Sequence, residues 1–292
     1  MSYRVEILDK CEALFRTDVL FNDELIQIAK CYFDIKQLTL LKDGEIVCAV
    51  PVQKTAIGEW GFFGAILPFV DYRWFTDKIE YLKILEEMSK ESTPLDIVNM
   101  VVGDSVSPFQ PDYGLALVKT AERGRIAEHY TGKFKKNIRR AIRASEGLEY
   151  RPIKVTQTET ILNYWFDLYD NEKLPFCCSA LYQWCRDGDL LTFGIFDGDR
   201  LVGADYLVFA DLFGERVACG FLTPWLKEEK ELQKKEVGNF AMVEACDRLH
   251  RLGIDYFSIG DMSYPYKKRW ATRVLPTFVV GKGRWEKRGG RL

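Results

Sequence analysis

Residues 197–225, DGDRLVGADYLVFADLFGERVACGFLTPW, decide the reading of this chain, because residues 43–69, DGEIVCAVPVQKTAIGEWGFFGAILPF, say nearly the same thing. Each stretch opens on Asp-Gly, continues as a strand-like run, and closes on Gly-x-x-x-Pro-aromatic: GAILPF at 64–69 and GFLTPW at 220–225. The offset between the copies is 154 to 156 residues. A long-period echo of this kind marks a duplicated supersecondary unit.

The flanks repeat as well. Segments 35–42 and 45–53 alternate about Asp43-Gly44, and segments 191–196 and 201–209 flank Asp197-Gly198, two hairpin signals. Strand-like 58–69, a helical 74–90 with Phe75, Ile79, Leu82 and Leu85 on one side, and an apolar strand 95–102 follow the first hairpin. Strand-like 216–222 follows the second, then a helix stripe of Val237, Phe240, Ala241, Ala245, Leu249 and Leu252 that stops at Gly253, and a strand at 254–259. The second half also opens with a strand at 148–155 and helices at 159–169 and 180–186, and closes on a strand at 277–280. Mixed strands crossed by helices give an α/β (α+β mixed-sheet) protein in two tandem halves.

Composition narrows the function classes. The chain has 292 residues, 47% of them hydrophobic and 14% aromatic, which is enough apolar surface for one large core or two ordinary ones. A net charge of -2 provides no global field for nucleic acid or an anionic membrane. The N-terminus, MSYRVEILDKCEALF, has charges where a signal peptide needs an apolar core, and the longest apolar run, 60–70, is too short to span a bilayer. A soluble cytoplasmic protein is expected. Eight cysteines without a CxxC pair read as reduced and mostly buried, and two isolated histidines, His129 and His250, argue against a metal site.

The closing segment 255–272, DYFSIGDMSYPYKKRWAT, resembles the Gly-Asp…Tyr-Lys-x-x-Trp signature of one branch of the GNAT N-acyltransferase superfamily, that of the Fem-type peptidyltransferases and CelD-like acetyltransferases. Segment 133–150, KFKKNIRRAIRASEGLEY, is similar to the basic helix that joins the two GNAT-like halves in that branch. The resemblance implies a degenerate N-terminal half at 1–130, a basic linker helix at 131–147 and an acyltransferase half at 148–292. It also implies transfer of an acyl or aminoacyl group to the amine of a small molecule or cell-envelope precursor. Donors would be acyl-CoA, an acyl carrier protein or aminoacyl-tRNA, with no tightly bound cofactor. A degenerate, non-catalytic pair that binds a ligand is the alternative from another class.

Relatives that use coenzyme A carry [RQ]-x-x-G-x-[GA] before the helix after their fourth strand, where backbone N–H groups meet the pyrophosphate. Here the stretch is KKEVGNF: Lys235 and Gly238 are in place, but Phe240 stands where a small residue belongs. That departure counts against coenzyme A.

Acyl transfer needs an amine held against a carbonyl, donors for the oxyanion and a route for the proton. Gly220 is the candidate for a strand bulge carrying an oxyanion donor, though its recurrence as Gly64 in the first copy favours a shared packing or turn glycine. The resemblance implies that Lys267 lies near the donor channel, where its cation would stabilise an oxyanion or grip a phosphate; a solvated basic turn, Lys267-Lys268-Arg269, is the plain alternative. Tyr264 and Tyr266 are candidates for proton relay or packing, and Asp261 for orienting the amine or capping a turn. Of Asp205 and Tyr206, alternation sends one inward as a buried acceptor. Helix 133–143 has six Lys or Arg and no acid, so Arg139 and Arg140 are candidates for phosphate contact, including that of tRNA, or for a solvated linker face.

Overall fold

The computed structural model describes residues 3–8, 23–54, 60–62, 97–101, 114–169, 181, 190–212, 215–261, 264–281 and 284–287. Both Asp-Gly hairpins form, and they turn differently. Strands β2 (Ile35–Lys42) and β3 (Glu45–Lys54) meet across Asp43 and Gly44, whose φ values of 50° and 92° make a type I′ turn. Strands β8 (Leu190–Asp197) and β9 (Arg200–Leu212) meet across Gly198 and Asp199, with Asp197 already paired to Arg200. There only the first central residue, Gly198, has positive φ (60°), as a type II′ turn requires. The duplicated dipeptide thus sits one position earlier in its second turn.

Strand β1 (Tyr3–Leu8), β2, β3 and β4 (Trp60–Phe62) form a four-stranded antiparallel sheet in that order, after which β5 (Ile97–Val101) is the next described strand. Helix α1 (Asp23–Lys30) lies between β1 and β2 in the chain. The expected helix 74–90, Gly64, and 180–186 apart from Leu181 lie outside the described residues, and of 58–69 only β4 lies within them.

A larger sheet runs β13-β12-β6-β11-β10-β9-β8-β7, with β5 also on β12. Its members are β6 (Gly114–Lys119), β7 (Leu148–Pro152), β8, β9, β10 (Glu215–Leu222), β11 (Tyr256–Asp261), β12 (Arg273–Gly281) and β13 (Arg284–Lys287). Two pairings cross long stretches of chain. Strand β6, on the N-terminal side of the expected boundary at 130, is hydrogen-bonded to β11 and to Arg273–Pro276 of β12. Residues 277–281 of β12 continue past it and pair with β5. Strand β12 therefore pairs with two strands from the N-terminal side of that boundary, and with β13 after it.

Helices α2 (Gly132–Ala144), α3 (Glu159–Tyr169), α4 (Lys230–Lys234), α5 (Val237–Arg251) and α6 (Pro265–Trp270) complete the second half in the expected order, with α4 added. The predicted stripe of α5 is buried at Val237, Phe240, Ala241, Ala245 and Leu249, whereas Leu252, expected to continue it, caps the helix and is 49% exposed. Ala245 and Leu249 pack in the main core with Ile138 of α2 and with Ala116, Val118, Phe193, Ala218 and Phe257 of the strands, and Val237, Phe240 and Ala241 in a second cluster with Leu148, Ile195 and Val202. No helix among the described residues is long and apolar enough to cross a membrane.

Candidate functional site

Strands β10 and β11 form the one parallel pair among the described residues, and they stay paired only at Val217↔Tyr256, Ala218↔Phe257 and Cys219↔Ser258. Immediately beyond, both strands change register: β10 between Gly220 and Leu222 against β9, and β11 between Ser258 and Asp261 against β6, with Gly260 at φ 82°. A bulge bends its strand and leaves a residue out of the ladder. Two bulges at one level end the parallel pairing at the carboxyl ends of the strands, the place where open α/β sheets bind ligands.

Gly220 starts the β10 bulge. A Cβ there would stand 3.0 Å from the Phe257 ring, a contact tight enough that the ring would have to shift by a few tenths of an ångström, so packing favours glycine whatever its backbone also does.

Asp205 and Tyr206 take opposite faces of β9, and both are buried because helices cover both faces. Tyr206 donates its hydroxyl to Thr158 Oγ1, beside the start of α3. Asp205 points the other way, towards α5, and is 1% exposed. Its Oδ2 accepts the Tyr150 hydroxyl at 2.8 Å and its Oδ1 accepts the Thr223 hydroxyl at 2.9 Å. Tyr150 is itself fixed by stacking on Phe193, with ring centroids 4.5 Å apart. Burial outweighs these hydrogen bonds and pushes the Asp205 carboxyl from the ordinary 3.8 up to about 6. Burial, then the Asp205 charge, likewise raises the Tyr150 hydroxyl.

A raised carboxyl binds its proton more tightly in the folded chain, so its contribution to stability is fully present below the unfolded value and is lost as pH rises through about 6. Asp205→Asn is expected to remove a fall on the order of 3 kcal/mol in unfolding free energy between pH ~4 and ~6. Urea unfolding at a series of pH values checks this, and a variant with the wild-type slope would contradict it.

The stretch before α5 is occupied by its own side chains. Lys235 Nζ lies 2.7 Å from Asp197 Oδ1, tying α4 to the β8–β9 hairpin. Glu236, left-handed at φ 53°, precedes α5. Its carboxylate takes Arg140 Nε at 2.9 Å and Asn239 Nδ2 at 2.8 Å. A carboxylate thus already stands at this helix N-terminus, where the dipole favours an anion. Around Gly238 there is room, since the nearest atom to an added Cβ is Trp225 Nε1 at 3.7 Å. Phe240 is 2% exposed and belongs to the core. Arg139 is exposed and makes no ion pair among the described residues.

Helix α6 begins just past the carboxyl end of β11, whose last residue is Asp261. Of its three adjacent cations only Lys267 is buried, and its Nζ lies 5.4 Å from the Tyr264 ring centroid. Tyr264 and Tyr266 are exposed and stack on each other at 6.1 Å. Trp270, 1% exposed, meets Tyr130 and Phe134 edge-on at 5.7 and 5.4 Å, and its carbonyl accepts the Tyr130 hydroxyl at 2.7 Å. Phe134 belongs to α2, so the basic helix and the YPYKKRW segment form one packed unit.

Gly220 and Asp261 thus lie where the parallel pair ends, Lys267 lies on the helix that follows β11, and Asp205 stands on β9 with Thr223 as its partner, while Lys235, Gly238 and Arg140 group at the start of α5. Sequence reasoning missed Tyr150, Thr223 and Glu236. Thr223 lies inside the repeated GFLTPW phrase, but its link to Asp205 depends on the β9–β10 register.

No protein-family model and no curated protein matches this sequence. Solved structures do. The crystal structure of FemX superposes with a TM-score of 0.53 at 10% identity, covering 92% of each chain. A conserved protein of unknown function from Bacteroides thetaiotaomicron VPI-5482 gives 0.54 at 12% identity, covering 90% of each chain. With one parallel pair cut short by bulges, two hairpins and a mixed sheet, this chain shares the mixed α/β fold of the FemX structure.

Proposed function

We propose that this chain is an N-acyltransferase, moving an acyl group from a thioester to the amine of a small molecule or envelope precursor. The observation that carries the reading is the double bulge ending the β10–β11 ladder, with Lys267 on the helix that follows β11. Backbone N–H groups freed from a ladder at a bulge, with a cation beside them, are suited to an oxyanion that forms only in the transition state. The amine nitrogen attacks the thioester carbon, the oxyanion collapses, and the C–S bond breaks to release a thiol.

The Glu236 carboxylate before α5 opposes a pyrophosphate there and favours an acyl carrier protein or another donor over coenzyme A. A second reading, aminoacyl-tRNA as donor, is favoured by α2: Lys133, Lys136, Arg139 and Arg143 are exposed and form no ion pair among the described residues.

Calorimetry with acetyl-CoA and product analysis with acetyl-CoA, an acetyl-phosphopantetheine thioester and charged tRNA test the proposal. Weak acetyl-CoA binding, with amide formed from another of these donors, is the expected result. Tight acetyl-CoA binding would overturn the donor reading. Failure of all three donors to yield amide would leave a non-catalytic binding protein.

A further inference from the structure

The proposed reaction requires an acceptor for the proton that leaves the amine, and neither histidine is near the mouth of the parallel pair: His129 belongs to a 3-10 turn before α2, and His250 to the far end of α5. We infer that Thr223 and Asp205 form the proton path of this site, Thr223 taking the proton from the attacking amine and passing its own to Asp205. The inference rests on the acyltransferase reading and deepens it.

The geometry begins with register. Leu222 is the partner of Tyr206, and the carbonyl of Pro224 accepts the N–H of Ala204, so Thr223 stands directly opposite Asp205. Thr223 is the first residue after the pairing that closes the β10 bulge, at the carboxyl end of the strand, and is only half-buried. Its hydroxyl hydrogen is directed at Asp205 Oδ1, 2.9 Å away, which leaves its lone pairs to accept a proton. Asp205 is held from behind by the Tyr150 hydroxyl, so the carboxylate has one accessible exchange partner.

The titratable groups nearest this pair are a phenol, a thiol and two acids, with Arg123 paired to Glu244 at 3.1 Å and Arg248 over the Phe193 ring. From β7 comes Tyr150, whose hydroxyl is raised further by Glu244 and Cys246 of α5, and the Cys246 thiol is in turn raised by Asp205 and Asp247. Deep burial among them lifts the Asp205 carboxyl to about 6, within reach of a general base working near neutral pH. The balance closes. The N–C bond forms, the amine proton passes through Thr223 Oγ1 to Asp205, the C–S bond breaks, and the proton returns through the same hydroxyl to the departing thiolate.

The test is a pH–rate profile of the full-length chain with primary amines, using whichever thioester probe, acetyl-CoA or acetyl-phosphopantetheine, gives turnover. Wild type should show an acid limb in kcat near pH 6, well below the titration of the amine itself. Asp205→Asn should lose roughly 100-fold in kcat and the acid limb, with KM changed by less than about threefold. Thr223→Val should lose kcat comparably, while Thr223→Ser, which keeps the hydroxyl, should recover most of it. If Asp205→Asn fails to fold, the Val and Ser variants of Thr223 decide alone. A wild-type enzyme that turns over but keeps its rate and acid limb in Thr223→Val or Asp205→Asn overturns the proton path and leaves the acyltransferase reading standing. A wild-type chain inert with both thioesters removes that reading and the proton path with it.

Discussion

Trp270→Ala is expected to lower the free energy of unfolding by about 4 kcal/mol. The indole is 1% exposed and is one of three rings that meet edge-on: Tyr130 to Phe134 at 5.0 Å, Tyr130 to Trp270 at 5.7 Å and Phe134 to Trp270 at 5.4 Å. Truncation removes its transfer energy and leaves a cavity that cannot collapse. Tyr130 is held to the backbone of residue 270 rather than to the indole, and Phe134 is carried by a helix docked elsewhere through Ile138 and Ala141. The cost is local in origin but spreads to α6, because Trp270 is its last residue. Tyr264→Ala, at the other end of the same helix and 59% exposed, should change stability by less than ~0.5 kcal/mol. Urea unfolding of both variants checks the pair, and a Trp270→Ala cost below ~1 kcal/mol would contradict the packing argument.

Lys267→Met is expected to cut kcat for acyl transfer by roughly 10²–10³-fold, with the fold intact. Methionine keeps the length and apolar stem of lysine and removes the cation, so the substitution isolates charge from packing. Lys268→Met, on the exposed side of the same helix, serves as the control for general electrostatics and should alter kcat by less than about twofold. The comparison separates the two meanings of a buried lysine. If Lys267→Met lowers the unfolding midpoint yet leaves kcat unchanged, the side chain packs α6 onto the sheet and has no part in stabilising an oxyanion.

Local signals were readable in the chain wherever an element is stabilised by its own neighbours. Both hairpins, the amphipathic basic helix and the stripe of α5 up to Leu249 stand where periodicity and turn residues put them, within one to three residues. The turn types were not readable, because Asp-Gly suits either turn and the choice depends on which residues the flanking strands pair. Residues distant in the chain were harder still. Nothing in GLALVK at 114–119 indicates that it will lie between β11 and β12, and nothing in 277–281 indicates β5 as partner. A strand records which of its faces is apolar, and its hydrogen-bonding edge is the same for every partner.

The site follows the same division. The repeated Asp-Gly and Gly-x-x-x-Pro-aromatic phrases determined by themselves that the chain is a doubled mixed-sheet protein, and the basic helix and the YPYKKRW segment single out the second copy as the place to seek its function. Only the tertiary structure decided that Lys267 alone of three adjacent cations is buried, that Arg140 is held by Glu236, and that Asp205 meets the Thr223 hydroxyl. Composition and periodicity are properties of residues near one another in the chain. Burial, ion pairing and proton affinity are set by groups that strand register and helix docking bring together from far apart.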